Sequence, residues 1–327
     1  MADLSIDYMG MKLSSPVMAA SSTLTKDIAN IRKAEDAGAG AVVLKSLFEE
    51  EIRQDSGLSY EDVSHTEAYD YISADAAMVY GSGEYLEYVR KAAEAVSIPV
   101  IASINCEGGR WWTDFAVSME EAGADAIELN ISFVPFDASL TSAEVEARYV
   151  EVIESVKSKV SIPVSVKIGD NFSSIPYMVQ KIKNAGADAV TMFNRYYQMK
   201  INTRTLELEP VHYYSETQEA YNVIRWVAAV SRQCPIDISA TTGVHDEDTL
   251  IQYILAGAKT VQTASMLYKK GFSAISDLNT GLAKWLDKRN LSGVKDAVGL
   301  AMRKKIRQYH TIERIQYIKV ADGHLLQ

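Results

Sequence analysis

The chain has 327 residues, of which 47% are apolar and 23% are charged, and its 33 Lys and Arg against 43 Asp and Glu give a net charge of −10. This composition excludes a disordered chain and predicts a soluble globular protein with ample core. The acidic balance also argues against nonspecific nucleic-acid binding, because a negative surface repels phosphate backbones.

The cysteines and the N-terminal segment indicate the compartment. Cys106 and Cys234 are too few for a disulfide framework or for an iron–sulfur cluster with four thiolate ligands. The first 22 residues lack the basic start and apolar stretch of a signal peptide, and no run of 18 apolar residues occurs. The sequence therefore predicts a complete cytoplasmic protein that binds neither membranes nor nucleic acid.

Two short phrases alternate along the chain. In the first, Ala-Gly-Ala or a close variant leads into a segment rich in Val, Ile and Thr, at 34–46, 119–132, 182–194 and 254–265. This pattern indicates a helix that ends at a glycine and is followed at once by a buried strand. In the second, a proline stands at the start of an apolar strand, at 14–21, 97–105, 161–169 and 233–243.

Together the two phrases predict eight strands, in chain order at 16–21, 41–46, 99–105, 126–132, 163–168, 189–194, 236–242 and 260–265. Each strand is short and mainly apolar, with room for a helix before the next. This alternation predicts the α/β class, as an eightfold (β/α) TIM barrel. The alternative is an open doubly wound sheet, but the segment after the first strand, MAASSTLT, lacks the glycine-rich phosphate turn of that fold.

The barrel is predicted to fill 1–327 as a single domain. It has an N-terminal lead-in at 1–15, long rim insertions after strands 2 and 6 at 47–98 and 195–235, and a helical C-terminal extension at 281–327. Loops at the C-terminal ends of barrel strands form active sites, so both insertions are candidates for a lid or a substrate wall. The alternative interpretation is an elaborated surface or a homodimer contact.

Polar residues end all eight predicted strands. They are Ser21, Ser22, Lys45, Ser46, Asn105, Asn130, Ser132, Lys167, Asn194, Thr241, Thr242, Gly243 and Ser265. An unpaired buried polar group costs about 1–3 kcal/mol, so a ligand or a mutual network is expected to satisfy this set. The set lacks a His, Cys and carboxylate cluster, which argues against a metal. Its donors suit carbonyl oxygens and phosphate, and FMN is the leading candidate.

Several segments together resemble the dihydroorotate dehydrogenase family of FMN barrels, in order along almost the whole chain. They are LSIDYMGMKLSSPVMAASS, Lys45-Ser46, Asn130-Ile131-Ser132, Val166-Lys167, Asn194 and TTGVHDEDTLIQYILAGAKTVQTASMLYKKG. The resemblance implies that FMN is held by Ala20, Ser21, Lys45, Ser46, Asn105, Asn130, Lys167, Asn194, Thr242, Gly243, Val244, Ala264 and Ser265. It places Lys167 against the pyrimidine side of the flavin and the phosphate at Gly243-Val244 and Ala264-Ser265. It also implies a catalytic group of Lys45, Asn130, Ser132 and Asn194.

The chain departs from this family where the substrate would bind. Phe133 stands at the position of the general base, and its loss is expected to cost about 10²–10⁴ in the rate of dihydroorotate oxidation. Residues 73–79 replace the family's asparagine-rich substrate loop, and Arg195 replaces a small hydroxyl residue. Ser73 and Arg195 are therefore the predicted substrate contacts. The candidates for proton transfer are His65, Asp75, Cys106, Ser132, Tyr196 and Tyr197.

Three functions follow from these residues. The first is an FMN-dependent oxidoreductase that moves two electrons between a small polar, pyrimidine-like substrate and the flavin, and then to a diffusible acceptor or a partner subunit. The second is a lyase or aldolase in which Lys45 or Lys167 forms a Schiff base. The third is a flavin-binding protein that has lost dihydroorotate turnover.

Overall fold

Eight parallel strands close into a barrel in the computed structural model, which describes residues 2–48, 82–105, 109–133, 136–196, 198–211 and 214–303. The barrel strands are β1 Val17–Ala19, β2 Ala41–Val43, β3 Val100–Asn105, β4 Ala126–Asn130, β5 Val164–Ile168, β6 Ala189–Met192, β7 Asp237–Thr241 and β8 Thr260–Thr263. Each pairs with its neighbours in sequence, and β8 pairs with β1. The pairing of β2 with β3 completes the ring, so the predicted fold is confirmed.

A helix follows each barrel strand on the outside of the ring. The helices are α1 Ile28–Asp36, α2 Ser82–Ala95, α3 Gly109–Glu121, α4 Ser142–Lys157, α5 Ile175–Asn184, α6 Ala220–Gln233, α7 Glu247–Ala256 and α8 Ser273–Lys288. Short helices Ser265–Lys270 and Val294–Ala297 flank α8, and single turns of 3₁₀ helix occupy Thr23–Lys26, Thr217–Glu219 and Leu300–Met302. Apolar residues of the strands and of the inward helix faces form one continuous core.

Barrel helices lie within two of the predicted segments and across the start of a third. Helix α2 occupies the end of the 47–98 insertion and α6 the end of the 195–235 insertion, so both segments include a regular barrel helix. The predicted boundary at 281 falls inside α8, because that amphipathic helix runs unbroken through it. Residues 49–81, which include His65, Ser73 and Asp75, lie outside the described residues, as do Cys106, Tyr197 and 304–327.

Two antiparallel hairpins add to the barrel. The first, Ile6–Tyr8 with Met11–Leu13, forms the predicted lead-in, and the Met9 N–H donates to Asp237 at the start of β7, 2.9 Å away. This hairpin therefore packs at the N-terminal end of the barrel, where Tyr8 is buried. The second, Gln198–Ile201 with Leu208–Val211, lies in the insertion after β6.

The glycines of the first repeated phrase end their helices as predicted. Gly38, Gly123, Gly186 and Gly257 all have positive φ, a conformation that a glycine adopts without steric cost. In two repeats an aspartate follows and ties the new strand to its neighbour. Asp125 accepts the N–H of Val100 at 2.8 Å and returns its own N–H to the Val100 carbonyl, and Asp188 and Val164 form the same pair of bonds. These bonds fasten adjacent strands at the N-terminal face of the barrel.

The Ser-Ile-Pro phrase is anchored by a glutamate from the last turn of a neighbouring helix. Glu35 of α1 accepts the N–H and the hydroxyl of Ser97 at 2.7 and 2.6 Å. Glu120 of α3 likewise accepts the hydroxyl and N–H of Ser161 and the N–H of Ile162. The Ser161 contacts lower the pKa of the Glu120 carboxyl, because they stabilise its charged form.

We expect Glu120→Gln to lower the free energy of unfolding by about 0.5–1 kcal/mol at pH 7, because the charge-assisted bonds to Ser161 are weakened. Since the pKa of Glu120 is depressed in the folded state, its contribution is present above about pH 4.3 and disappears as the pH falls through the folded value. The measurement is the thermal midpoint at pH 7 and near pH 3. The matched control is Glu121→Gln at the exposed neighbouring position, and an equal effect of both variants at pH 7 would contradict the assignment.

Candidate cofactor and substrate site

Polar residues from every barrel strand meet at one rim, because the strands are parallel and all their carboxyl ends lie on the same side. Several of them are buried to 90% or more, namely Lys45, Ser46, Asn130, Ser132 and Lys167. Burial of so many polar groups at one place requires partners. The contacts of each group show how the rim satisfies them and which atoms it leaves for a ligand.

Three serines connect the ends of β1, β2 and β3. The Ser46 N–H donates to Ser21 Oγ at 3.0 Å, and Ser46 Oγ lies 3.2 Å from Ser21 Oγ and 2.7 Å from Ser103 Oγ. The hydroxyl of Tyr85, from α2, donates to the Lys45 carbonyl at 2.9 Å. These bonds fix the backbone that carries Lys45, whose ammonium lies 5.3 Å from the ring centroid of Phe48.

The three strand-end asparagines form a chain across the rim. Asn105 Nδ2 donates to the Asn130 carbonyl at 2.8 Å, and Asn194 Nδ2 donates to Asn130 Oδ1 at 2.9 Å. These bonds orient the amide groups of Asn130 and Asn194. They leave Asn130 Nδ2 as a donor and Asn194 Oδ1 as an acceptor, a pair that suits a heterocycle with a carbonyl and a ring N–H.

An open cavity of about 140 Å³ lies against the ends of β1 and β5 to β8. A water molecule occupies roughly 30 Å³ in the liquid, so this cavity has room for a larger polar group such as a phosphate. Nine of the thirteen residues predicted to hold the cofactor line it: Ala20, Ser21, Lys167, Asn194, Thr242, Gly243, Val244, Ala264 and Ser265. The structure thus brings together residues that are up to 245 positions apart in the sequence.

The turn after β7 packs tightly against α6. Gly243 has φ +73°, and a Cβ atom there would lie 2.7 Å from the backbone nitrogen of Ala220. The Gly243 N–H donates to Ser215 Oγ at 3.3 Å, and the Ser215 N–H donates to Ser265 Oγ at 3.1 Å. Ser215 therefore joins the turn after β7 to the end of β8, the two places where barrel enzymes hold phosphate.

His245 lies behind this turn and contacts Ser215 through its Nε2, 3.2 Å from the serine Oγ. Burial, followed by the positive charge of Lys269, lowers the pKa of His245, so the imidazole is neutral at pH 7. The sequence analysis missed both Ser215 and His245. His245 directly follows Gly243-Val244 and could have been found from that position, whereas Ser215 lies in the insertion and has no local signal.

Arg195, one of the two predicted substrate contacts, lines the cavity but already holds a carboxylate. Its Nε lies 2.7 Å from Glu219 Oε2 and its Nη2 lies 3.3 Å from Glu219 Oε1. This two-point geometry is the one in which a guanidinium binds a carboxylate best. A substrate carboxylate would have to share or displace Glu219, so the predicted role of Arg195 stays a prediction.

Phe133, which the resemblance places at the position of the general base, lies in an aromatic cluster. Its ring centroid is 5.2 Å from that of Tyr149 in an edge-on arrangement, and Tyr149 contacts Phe172 in the same way. The Phe133 N–H donates to the Tyr149 hydroxyl at 3.4 Å. Burial raises the pKa of Tyr149, so this phenol cannot replace the base at neutral pH.

Of the other proton-transfer candidates, the structure describes Ser132 and Tyr196. Ser132 is buried two residues beyond Asn130 at the end of β4, and the ring of Tyr196 packs against Gly169. Across the described ranges, no group of three or more His, Cys, Asp or Glu side chains comes together as a metal site would require. No described helix is long and apolar enough to cross a membrane.

The inside of the barrel holds a polar cluster that the sequence analysis also missed. Glu128 of β4 is only 1% exposed, and its Oε2 accepts from Thr191 Oγ1 at 2.9 Å and from Gln262 Nε2 at 2.7 Å. Its Oε1 lies 3.8 Å from Lys167 Nζ. The inward direction of Glu128 could have been predicted, because it stands two residues before Asn130 and therefore lies on the same face of the strand.

Comparison with known proteins gives one consistent match. The family model described as Dihydroorotate dehydrogenase matches residues 3–286. The chain is 28% identical over 310 residues to the Dihydroorotate dehydrogenase B (NAD(+)), catalytic subunit, of Thermoplasma acidophilum, covering 93% of this chain and all of the relative. It is also 28% identical over 313 residues to the putative dihydroorotate dehydrogenase A (fumarate) of Aeropyrum pernix, covering 92% of this chain and 98% of the relative.

We expect Gly243→Ala to destabilise the protein by about 2–4 kcal/mol, since the new Cβ is strained by the positive φ and also meets the Ala220 backbone. The matched control is Gly10→Ala in the turn of the first hairpin, where φ is +77° and nothing lies within 4 Å of the added atom, so about 1–2 kcal/mol of strain alone is expected. The thermal midpoints of the two variants measure the difference. Equal losses would show that the close approach of α6 contributes nothing.

Proposed function

The chain belongs to the dihydroorotate dehydrogenase family, and from that premise we propose that it is an FMN-dependent oxidoreductase that moves two electrons between a small polar substrate and the flavin. The observation that carries the proposal is the convergence of Lys167 and Asn194 on the rim cavity beside the Gly243 turn. A cation, the oriented amide of Asn194 and a backbone turn in one cavity match the carbonyls and the phosphate of a flavin nucleotide.

The residues present fit FMN on three counts. Gly243 lets the turn after β7 pack closely against α6, and this turn is one of the two places where barrel enzymes hold phosphate. Asn130 and Asn194 keep one donor and one acceptor for the flavin or the substrate. Lys167 supplies a fixed positive charge at the cavity, where it stabilises negative charge on the ring. When bound, FMN supplies the group that accepts and donates the two electrons.

In this proposal the rim residues divide between the two ends of the cofactor. Gly243, Val244, Ala264 and Ser265 hold the phosphate, with Ser215 connecting the two loops that carry them. At the other end Lys167 and the asparagine chain face the ring, and Ala20, Ser21, Lys45 and Ser46 complete its surroundings. Lys45, Asn130, Ser132 and Asn194 are proposed to orient the reacting atoms.

The residues on the proposed substrate side of the cavity favour a substrate other than dihydroorotate. Phe133 offers no proton acceptor, and Tyr149 beside it keeps its proton. Arg195, where the family has a small hydroxyl, adds a bulky cation that Glu219 holds in place. We propose that the substrate is small, polar and pyrimidine-like, and that dihydroorotate itself is turned over about 10²–10⁴ times more slowly than by an enzyme with the base.

The contacts of Lys167 do not favour the Schiff-base alternative. The ammonium of Lys167 lies 3.8 Å from the buried carboxylate of Glu128, so it is held in an ion pair rather than left to attack a carbonyl. We propose NAD(+) and fumarate as the first electron acceptors to test, because the names of the two relatives include them.

The first test is FMN binding. Purified protein incubated with FMN and freed of excess should be yellow, with absorption bands near roughly 370 and 450 nm. A protein that stays colourless after reconstitution would refute the proposal, and borohydride trapping of a carbonyl compound on the colourless protein would favour the lyase instead. Turnover is then measured with dihydroorotate and with other reduced pyrimidines, using NAD(+), fumarate or a redox dye as the acceptor.

The second test restores the missing base. We expect Phe133→Cys to raise the rate of dihydroorotate oxidation by about 10-fold or more, because a thiolate at this position can take the proton that leaves with the hydride. The rate should increase with pH as the thiol ionises. The control is Phe133→Ala, which opens the same space without a base. An equal gain in both variants would show that space, not proton transfer, limits the reaction.

A further inference from the structure

Glu128 is an ionisable group that the proposed function does not use. It lies inside the barrel with 1% of its surface exposed, and Thr191 and Gln262, which donate to its Oε2, are equally buried. Its Oε1 accepts no hydrogen bond from the described residues. A carboxylate in such a place is costly unless a positive charge compensates it.

Lys167 provides that positive charge, and it also faces the cofactor cavity. Its ammonium lies 3.8 Å from Glu128 Oε1, and the lysine lines the cavity beside Asn194. In the sheet Lys167 is opposite Asn130 of β4, so Glu128 lies one inward position below it on the neighbouring strand. The ammonium is therefore placed between a buried carboxylate on one side and the cavity on the other.

Other groups near the pair add no compensating charge. Gln262 and Thr191 are neutral, and Tyr8, which closes the barrel from below, is a buried phenol. Burial, and then the negative charges of Glu128 and Asp237, raise the pKa of Tyr8, so it keeps its proton. Within the described residues, the charge balance beneath the cavity is thus set chiefly by Glu128 and Lys167.

We propose that Glu128 is a positioning residue that acts through Lys167: its carboxylate cancels part of the charge of the ammonium and thereby sets how strongly the protein stabilises reduced flavin. The inference rests on the proposed function, since it requires FMN in the cavity. Reduced flavin carries a negative charge that a nearby cation stabilises, and a carboxylate behind the cation weakens this effect. The carboxylate thus keeps the flavin a better electron donor than the lysine alone would.

The test is the midpoint reduction potential of bound FMN, followed by flavin absorbance during a redox titration. Glu128→Gln keeps the size of the side chain and removes its charge, so the potential is expected to shift to a more positive value. Lys167→Met removes the cation, so its potential is expected to shift to a more negative value. Glu128→Asp retains the charge and is expected to stay closer to the wild type than Glu128→Gln.

The matched control is Thr191→Val, which removes a hydrogen bond from the same carboxylate and changes no charge. Its thermal midpoint is expected to fall while the potential of bound FMN stays at the wild-type value. If Glu128→Gln does not fold, Glu128→Met removes the same charge with an apolar side chain of similar length and carries the same prediction.

The possible outcomes separate the two proposals. Normal FMN binding with an unchanged or more negative potential in Glu128→Gln would overturn the inference alone. A wild-type protein that binds no FMN would overturn the proposed function and the inference with it. A positive shift in Glu128→Gln that Thr191→Val does not share supports the role of Glu128, because a merely structural residue would affect stability without moving the potential.

Discussion

The site depends on the closure of eight parallel strands into a ring. The joint is the seam along β3, where Val42 of β2 lies opposite Val100 and Val43 opposite Ile101, and where the two-residue strand Leu47–Phe48 lies opposite Ile104 and Asn105. Without it the sheet would be open, and Ser46 would not meet Ser103 across the seam. Closure also brings the polar strand ends into a narrow ring, where several of them are buried and need partners. The asparagine chain and the serine cluster are the result.

Much of this arrangement could be predicted from the sequence because its signals are local. Proline before a strand and glycine after a helix mark the eight strands, and parallel strands then place their last residues on one rim. The partners of individual side chains could not be predicted, because they lie far away in the sequence. Glu128 meets Thr191 and Gln262 from positions 63 and 134 residues away, and Arg195 meets Glu219 through a loop whose hairpin has no clear alternation of polar and apolar residues. The contacts of Glu128 and Arg195 therefore follow from the fold rather than from their neighbours in the sequence.

The two halves of the site differ in how far they depart from the family. On the cofactor side, the turn at Gly243 and the cation of Lys167 agree with the family resemblance. On the proposed substrate side, the resemblance implies a proton acceptor where Phe133 lies edge-on to Tyr149, and a small hydroxyl residue where Arg195 pairs with Glu219. Phe133 and Arg195 follow β4 and β6, whereas the turn at Gly243 follows β7, so changes at the first two positions need not disturb the backbone of that turn.

The bonds made by Asp125, Asp188, Glu35 and Glu120 have a consequence for how such a protein changes over time. They lie on the face opposite the rim: the two aspartates join β3 to β4 and β5 to β6, and the two glutamates join a helix to the segment before a strand, all without any rim residue. The bonds that stabilise this end of the barrel are thus separated in space from the rim residues proposed to bind the cofactor and the substrate. The rim loops that select a substrate can therefore change during evolution while these hydrogen bonds stay intact. For the same reason, a protein engineer can graft new rim loops onto the same barrel.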